Sequence, residues 1–339
     1  MIPAIHILGG GLAGLSLGIA LRKRGIPVTL SEASSYPRHR VCGEFISGVS
    51  AETLELLGIA DLLSDAQTCR STVWFHGDDA IASRLLPEPA RGISRHRLDL
   101  RMAEAFQRLG GVLRTGVRAE PEEVPGEIVA IGRSRRRGEW LGIKTHVADF
   151  DLRGDLEMHL GEHCYLGIAR IEDGLANLCG LFRGAPSNAR DLAGTCRERG
   201  LGDLAGRLKN ADIRVESFST VAGLGFGWQF RPGSQQRSRS FCLGDSLAMI
   251  PPFSGNGMSM AFEGAALAVG PIESYYGGDV SWDEARQAYI SSANRAFRRR
   301  LLVAKALQPA LIGASGQTIL SSVAGLPAFP FSALYKLTH

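Results

Sequence analysis

The first clear pattern along the chain is a short apolar run, Ala4-Ile-His-Ile-Leu8, that leads into glycines and then into a segment of helical period. A run this uniformly apolar suits a central parallel strand buried on both faces. Leu15, Leu17, Ile19, Ala20 and Leu21 form the helical segment, and it closes on Arg22-Lys23-Arg24-Gly25. Basic residues in a last turn followed by glycine are helix C-terminal chemistry. A second strand, Pro27-Val-Thr-Leu-Ser-Glu32, follows, then a helix over 51–57 stopped by Gly58. Another helix is expected from the Ile93–Asp99 stretch to about Leu109, stopped by Gly110-Gly111, with a strand over 112–117 after it.

The middle of the chain alternates instead. Residues 72–76 and 80–86 read as a strand pair around Gly77-Asp78-Asp79, and 142–150, 164–171 and 175–182 read as further strands. Glu172-Asp173-Gly174 makes a tight turn between two of them. Residues 188–209 look helical and 213–219 strand-like. Short turns and alternation predict an antiparallel sheet. The tail from Trp282 to His339 is helical and apolar, interrupted by Pro309, Pro327 and Pro330. Its apolar positions, Leu301-Leu302, Leu307, Leu311-Ile312 and Ile319-Leu320, suit three jobs: packing on the sheet, lining an apolar tunnel, or touching a membrane surface as a peripheral contact.

Composition narrows the field. At 339 residues, with 45% hydrophobic and 21% charged positions, the chain can bury a core without staples and is too apolar for disorder. Its 42 glycines follow no collagen period, so they serve turns and close backbone approach. The net charge of +4 is mild. The basic runs Arg133, Arg135, Arg136, Arg137 and Arg298, Arg299, Arg300 carry few interleaved aromatics, so no nucleic-acid partner is expected. Cysteines 42, 69, 164, 179, 196 and 242 form no CxxC pair or Cys/His ladder. No metal site is expected, and reduced thiols fit a cytoplasmic protein. The N-terminus lacks the basic region and cleavage site of a signal peptide, and no apolar stretch reaches the length of a membrane span.

The chemistry begins at Gly9-Gly-Gly11-Leu12-Ala13-Gly14, a G-x-G-x-x-G set between strand and helix. Gly9 permits the tight turn, Gly11 lets a pyrophosphate approach the backbone, and Gly14 lets helix and strand pack closely. The helix N-terminus offers free N–H groups and a partial positive charge. Glu32 can accept ribose hydroxyls. Strand, glycine turn, helix, strand and acid in this order define an adenine-dinucleotide unit, without separating FAD from NAD. A second signature is Phe241-Cys-Leu-Gly244-Asp245, continuing through Pro251-Pro252-Phe253-Ser-Gly255-Asn-Gly257-Met258 into a helix to about Val269. It places a carboxylate at a strand's C-terminal edge, then a stiff loop and a second helix N-terminus.

Together with Arg40-Val-Cys42-Gly43-Glu44, these motifs resemble the para-hydroxybenzoate hydroxylase-like flavoproteins, with Arg-x-Cys-Gly-Glu most similar to the geranylgeranyl reductase branch. The resemblance covers most of residues 1–270. It implies an α/β fold: a doubly wound parallel-sheet FAD-binding domain over 1–70, 90–135 and 238–272. An antiparallel substrate domain would take 71–89 and 136–237, and a helical segment 273–339. It implies FAD contacts from Arg40, from Arg95 (with Arg97 as rival), from the Val117 backbone, and from Asp245 to a ribityl hydroxyl. The helix opened by Gly257 and Met258 would face the flavin's pyrimidine oxygen. Cys42, Pro252 and Phe253 are flavin-proximal candidates, Cys42 reading equally well as a small packed residue.

Two departures matter. The family's Ala-Asp-Gly reads Ala130-Ile131-Gly132, which leaves the electron donor open, with NAD(P)H as a candidate. The Phe-Pro-Lys of geranylgeranyl reductases reads Ile168-Ala169-Arg170. The expected reaction is hydroxylation of an apolar or aromatic small molecule. The alternatives are C=C reduction of a polyprenyl or polyketide chain, and a non-catalytic binding protein on the same fold, as in Rab GDP-dissociation inhibitors. Trp74, Tyr165, Trp228 and Phe253 are candidate walls for an apolar ligand, and His76, His146 and His163 could face it, while His6 reads as a core residue.

Overall fold

The computed structural model describes residues 4–133, 139–229 and 240–339. Arg135, Arg136 and Arg137 of the first basic run lie outside the described residues.

A five-stranded parallel sheet runs in the order Phe241–Cys242, Glu127–Val129, Ile5–Leu8, Val28–Glu32, Val112–Thr115. Ile5–Leu8 is central because its side chains are covered on both faces; Ile5 and Ile7 are fully buried. The chain leaves this strand toward Val28–Glu32 on one side, and Glu127–Val129 is laid down on the other. The carboxyl ends therefore diverge at a topological switch point, where open α/β sheets bind ligands. Gly9 sits in that crevice at φ +107, and a Cβ there would lie 2.2 Å from the Ala130 carbonyl oxygen. Gly14 lets helix and strand meet, since its Cβ would lie 2.1 Å from the Gly9 oxygen and 3.2 Å from Ile7.

The helix Leu12–Lys23 packs between Arg95–Arg108 and Gly257–Gly277. Phe106, Phe241, Phe262 and Tyr289 are buried in this core. Full burial of such side chains contributes roughly 1.5–3 kcal/mol each. The helix after Gly257 runs on to Gly277, eight residues past the expected end, because Pro271 is accommodated within it and Gly278 supplies the left-handed stop.

The second sheet has eight strands and is antiparallel except where Gln67–His76 pairs parallel with Leu156–Gly161. The expected pairing of Cys164–Arg170 with Ala176–Arg183 is present, across a turn with Asp173 at φ +58 and Gly174 at φ +72. Leu156–Gly161 is a strand the alternation did not announce. Two of its polar residues are buried: Glu157 binds His159 at 2.8 Å and Arg207 at 2.9 Å.

The tail forms helices Trp282–Ile312, Ala314–Ala324 and Phe331–Thr338. Leu301 joins the main core, while Leu311 and Ile312 join a smaller cluster beside the second sheet. Leu302 and Ile319 stay exposed. Among the described residues no helix is long and apolar enough to cross a membrane.

Candidate functional site

A cleft of about 430 Å³ opens at the switch point. Gly9, Gly11, Leu12, Ala13 and Glu32 line it from the first motif, and Gly244, Asp245, Gly257 and Met258 from the second. Arg40, Cys42, Arg95, Val117 and Pro252 also reach it. Residues more than two hundred positions apart thus share one wall-to-wall cavity. Gly14 stands just behind, at the helix–strand contact.

The cleft fits a dinucleotide. A Cβ on Gly11 or Gly257 would meet nothing within 4 Å, so both backbones face open space. The helix Leu12–Lys23 has no side-chain cap at Gly11 and no acidic residue in its first turn, so its N–H groups and partial positive charge face the cleft uncompensated. The Asp245 carboxylate makes no hydrogen bond among the described residues, and burial raises its pKa against the pull of Arg95, Arg133 and Arg40. An acceptor in that condition is completed by hydroxyl donors from a ligand.

Glu32 has a double role. Its Oε2 accepts the Gly10 amide at 2.7 Å, and its Oε1 accepts the Ser34 amide at 2.9 Å and pairs with Arg38 at 2.7 Å. Burial alone would raise its pKa, but the Arg38 hydrogen bond and charge and the two amides hold it below the usual carboxylate value. It enters the cleft as an anion with limited acceptor capacity left for ribose. The expected adenine contact of Val117 is narrowed as well. The strand ends at Thr115, and the Val117 amide already donates to the Glu32 carbonyl at 3.0 Å, so only its carbonyl remains for a ligand.

Arg95 lines the cleft with its guanidinium held by Asp99 through two bonds of 2.7 and 2.8 Å. Its rival Arg97 is drawn away into an ion network with Asp65, Glu172 and Asp173. Arg40 stays loosely held, 3.8 Å from both Glu32 and Asp99. At the departure Ala130-Ile131-Gly132, Ile131 is 43% exposed and faces the cleft.

Next to the cleft lies a larger cavity of about 780 Å³, and Arg40, Cys42, Arg95, Asp245 and Pro252 line both. Its floor is the second sheet, and its far side is the tail: Leu307, Leu311, Leu320, Phe331 and Tyr335 line it. Of the three readings of the tail, core packing and cavity lining are both realised. Phe253, Trp74 and Tyr165 line the cavity as expected; Trp228 does not, because it pairs with Ala248 in a separate two-stranded sheet. The thiols of Cys42 and Cys179 both reach the cavity, and burial pushes each up in pKa, so both are neutral.

Beneath the Arg40–Glu44 loop is a charge cluster that sequence reasoning missed. Glu44 and Lys144 are fully buried and 3.3 Å apart, and His146 Nε2 donates to Glu44 at 2.6 Å. Burial would raise the Glu44 pKa; the His146 bond and Lys144 charge more than offset this and lower it. His39 lies 3.3 Å from Lys144 Nζ and stacks on His96 with ring centroids 4.5 Å apart. The available signal was the i, i+2 spacing of Lys144 and His146, which puts both on one face of the strand Trp140–Ala148. His146 thus serves the cluster; like His76 and His163, it lines neither cavity. His6 bonds Ser31 at 3.0 Å inside the parallel sheet. Among the described residues no group of His, Cys, Asp and Glu could hold a metal.

This is the two-sheet fold of the flavoprotein monooxygenases and their reductase relatives. The chain superposes on p-nitrophenol 4-monooxygenase PnpA from Pseudomonas putida with a TM-score of 0.74 at 15% identity, covering 99% of this chain and 96% of that one. It superposes on PqsL of Pseudomonas aeruginosa in complex with 2-aminobenzoylacetate with a TM-score of 0.72 at 13% identity, over 94% and 99%. A geranylgeranyl bacteriochlorophyll reductase-like protein from Thermoplasma acidophilum gives 0.74 at 16% identity, over 98% and 95%. In sequence, 89 residues are 33% identical to the squalene epoxidase erg1 of Schizosaccharomyces pombe, spanning 26% of this chain and 19% of that enzyme. No family model matches the chain.

Proposed function

We propose that the protein is an FAD-dependent oxidoreductase, most simply a monooxygenase that hydroxylates an apolar or aromatic small molecule. The observation that carries this reading is the junction of the two cavities. A dinucleotide cleft built from both sequence motifs opens through Cys42, Asp245 and Pro252 into an apolar cavity large enough for a substrate. Solved structures of similar fold include monooxygenases, which supports the same class.

Gly9, Gly11 and the N-terminus of Leu12–Lys23 would hold the pyrophosphate, Glu32 the adenosine ribose, and Asp245 with Arg40 and Arg95 the ribityl chain. Bound FAD would supply the redox chemistry, with NAD(P)H as the proposed source of electrons. The protein's own part is to bind, orient and keep water out. Phe253, Trp74 and Tyr165 wall the substrate space with apolar surface, and the tail helices close its far side. That Cys42, Cys69, Cys164, Cys179 and Cys196 stand outside any disulfide supports a reducing compartment, the cytoplasm, as the location.

A second reading, reduction of a C=C bond in an apolar chain, is favoured by Cys42 facing both cavities within Arg40-x-Cys42-Gly43-Glu44. The test is anaerobic photoreduction of the purified protein with FAD, followed by oxygen in one sample and a polyprenyl alkene in another. Substrate-dependent oxygen consumption supports hydroxylation. Reoxidation by the alkene without oxygen supports reduction, and a colourless protein that rejects FAD sinks both.

A further inference from the structure

The buried cluster behind the Arg40–Glu44 loop has a consequence for the large cavity. Lys144 is fully buried, and an ammonium can only donate. Its Nζ lies 3.3 Å from Nδ1 of His39, so Nδ1 accepts and carries no proton. A neutral imidazole with a bare Nδ1 must hold its proton on Nε2. His39 lines the large cavity, and its Nε2 has no hydrogen-bond partner among the described residues. Trp74, which lines the same cavity, also has a buried indole N–H without a partner among the described residues. Among the described residues, the only side-chain carboxyl lining that cavity is Asp245, at the mouth of the dinucleotide cleft.

We propose that His39 is a neutral hydrogen-bond donor to the bound substrate, its tautomer fixed by Lys144, and that the cavity takes an apolar molecule bearing an acceptor oxygen of carbonyl type. This rests on the redox reading above only in calling the occupant a substrate; the donor itself is a property of the chain.

The charges around His39 support a neutral ring. Burial, the Lys144 cation, and the neighbouring His96 and His146 all lower its pKa, to about 4, and Glu44 alone opposes them. Lys144 stays in place because Glu44 accepts from it at Oε1, and the same carboxylate is held by His146 and the Arg95 amide. Lys144 is thus a positioning residue, and His39 is the group that would touch the ligand.

Two measurements test this. The first is the ¹⁵N spectrum of the His39 ring in the wild-type protein at pH 7. The expected result is a neutral ring protonated on Nε2; a cation, or a ring protonated on Nδ1, overturns the proposal. The second compares binding of 2-acetylnaphthalene with 2-ethylnaphthalene, which differ chiefly by one acceptor oxygen, in the FAD-loaded protein. The wild type should prefer the ketone roughly five- to tenfold, the worth of one hydrogen bond. His39→Phe should abolish the preference, and His39→Gln, which keeps a donor and an acceptor, should restore part of it. Equal binding of the two in wild type, no binding of the ketone, or an undiminished preference in His39→Phe overturns the proposal. FAD uptake, read separately from the visible spectrum, reports on the redox reading and stays intact in both variants if the inference alone is at fault.

Discussion

The carboxylate of Glu32 accepts the backbone N–H of Gly10 at 2.7 Å, tying the end of the second strand to the glycine turn that follows the first. The acid is therefore a structural clasp on the turn as well as a wall of the cleft. Glu32→Gln should keep an acceptor for Gly10 but lose the charged pairing with Arg38. FAD affinity should fall roughly tenfold, measured by fluorescence titration, with melting temperature lowered by a few degrees. An unchanged affinity would remove Glu32 from the site.

Gly9 and Gly11 should respond to alanine in opposite ways. At Gly9 the new Cβ would meet the Ala130 carbonyl at 2.2 Å with the backbone at φ +107, so the fold should lose about 2–4 kcal/mol. At Gly11 the Cβ meets no protein atom, so the loss should be no more than about 1 kcal/mol, the cost of alanine at an N-cap. Its methyl instead occupies the cofactor's space. Chemical denaturation and FAD titration on the two variants separate stability from binding.

Asp245 should show a trade between stability and function. Burial raises its pKa, so its ionised form is costly while no ligand hydroxyl is bound. Asp245→Asn should raise the melting temperature of the cofactor-free protein and weaken FAD binding roughly tenfold. A variant that loses stability and keeps its affinity would contradict the assigned role.

Acid should destabilise the fold through its histidines. His39 and His339 are each lowered from the ordinary 6.5 to about 4, chiefly by burial. Between about pH 4 and 6.5 the unfolded chain binds more protons at these sites than the native one, so stability rises with pH in that window. It is fully present above 6.5 and lost as pH falls toward 4. Melting temperature followed from pH 7 to 5 should decline, and His39→Gln should flatten the decline. A flat profile in the wild type would contradict the burial of these rings.

The parts of the molecule legible in the sequence are those made by neighbours along the chain. Ala4–Leu8, the glycine turn, the helix to Lys23 and Glu32 are consecutive, and each carries its own local reason. The Glu172-Asp173-Gly174 turn fixed the register of the strands on either side in the same way. What stayed hidden depends on distant partners. Leu156–Gly161 was missed because its polar residues Glu157 and His159 are buried, with Glu157 paired to Arg207 about fifty residues on. Nothing next to Lys144 in the chain announces its burial, because its carboxylate lies one hundred positions earlier at Glu44. The cavity wall supplied by Leu307, Phe331 and Tyr335 reads in sequence as ordinary amphipathic helix, since core and cavity demand the same apolar spacing.

Calorimetric titration of the cofactor-free protein with FAD and, separately, with NAD⁺ addresses the two-motif cleft most directly. The account predicts one FAD per chain, bound at micromolar strength or tighter, with binding weakened by Gly11→Ala and by Asp245→Asn alike. Tight binding of NAD⁺ with none of FAD, or FAD binding that ignores either substitution, would contradict it.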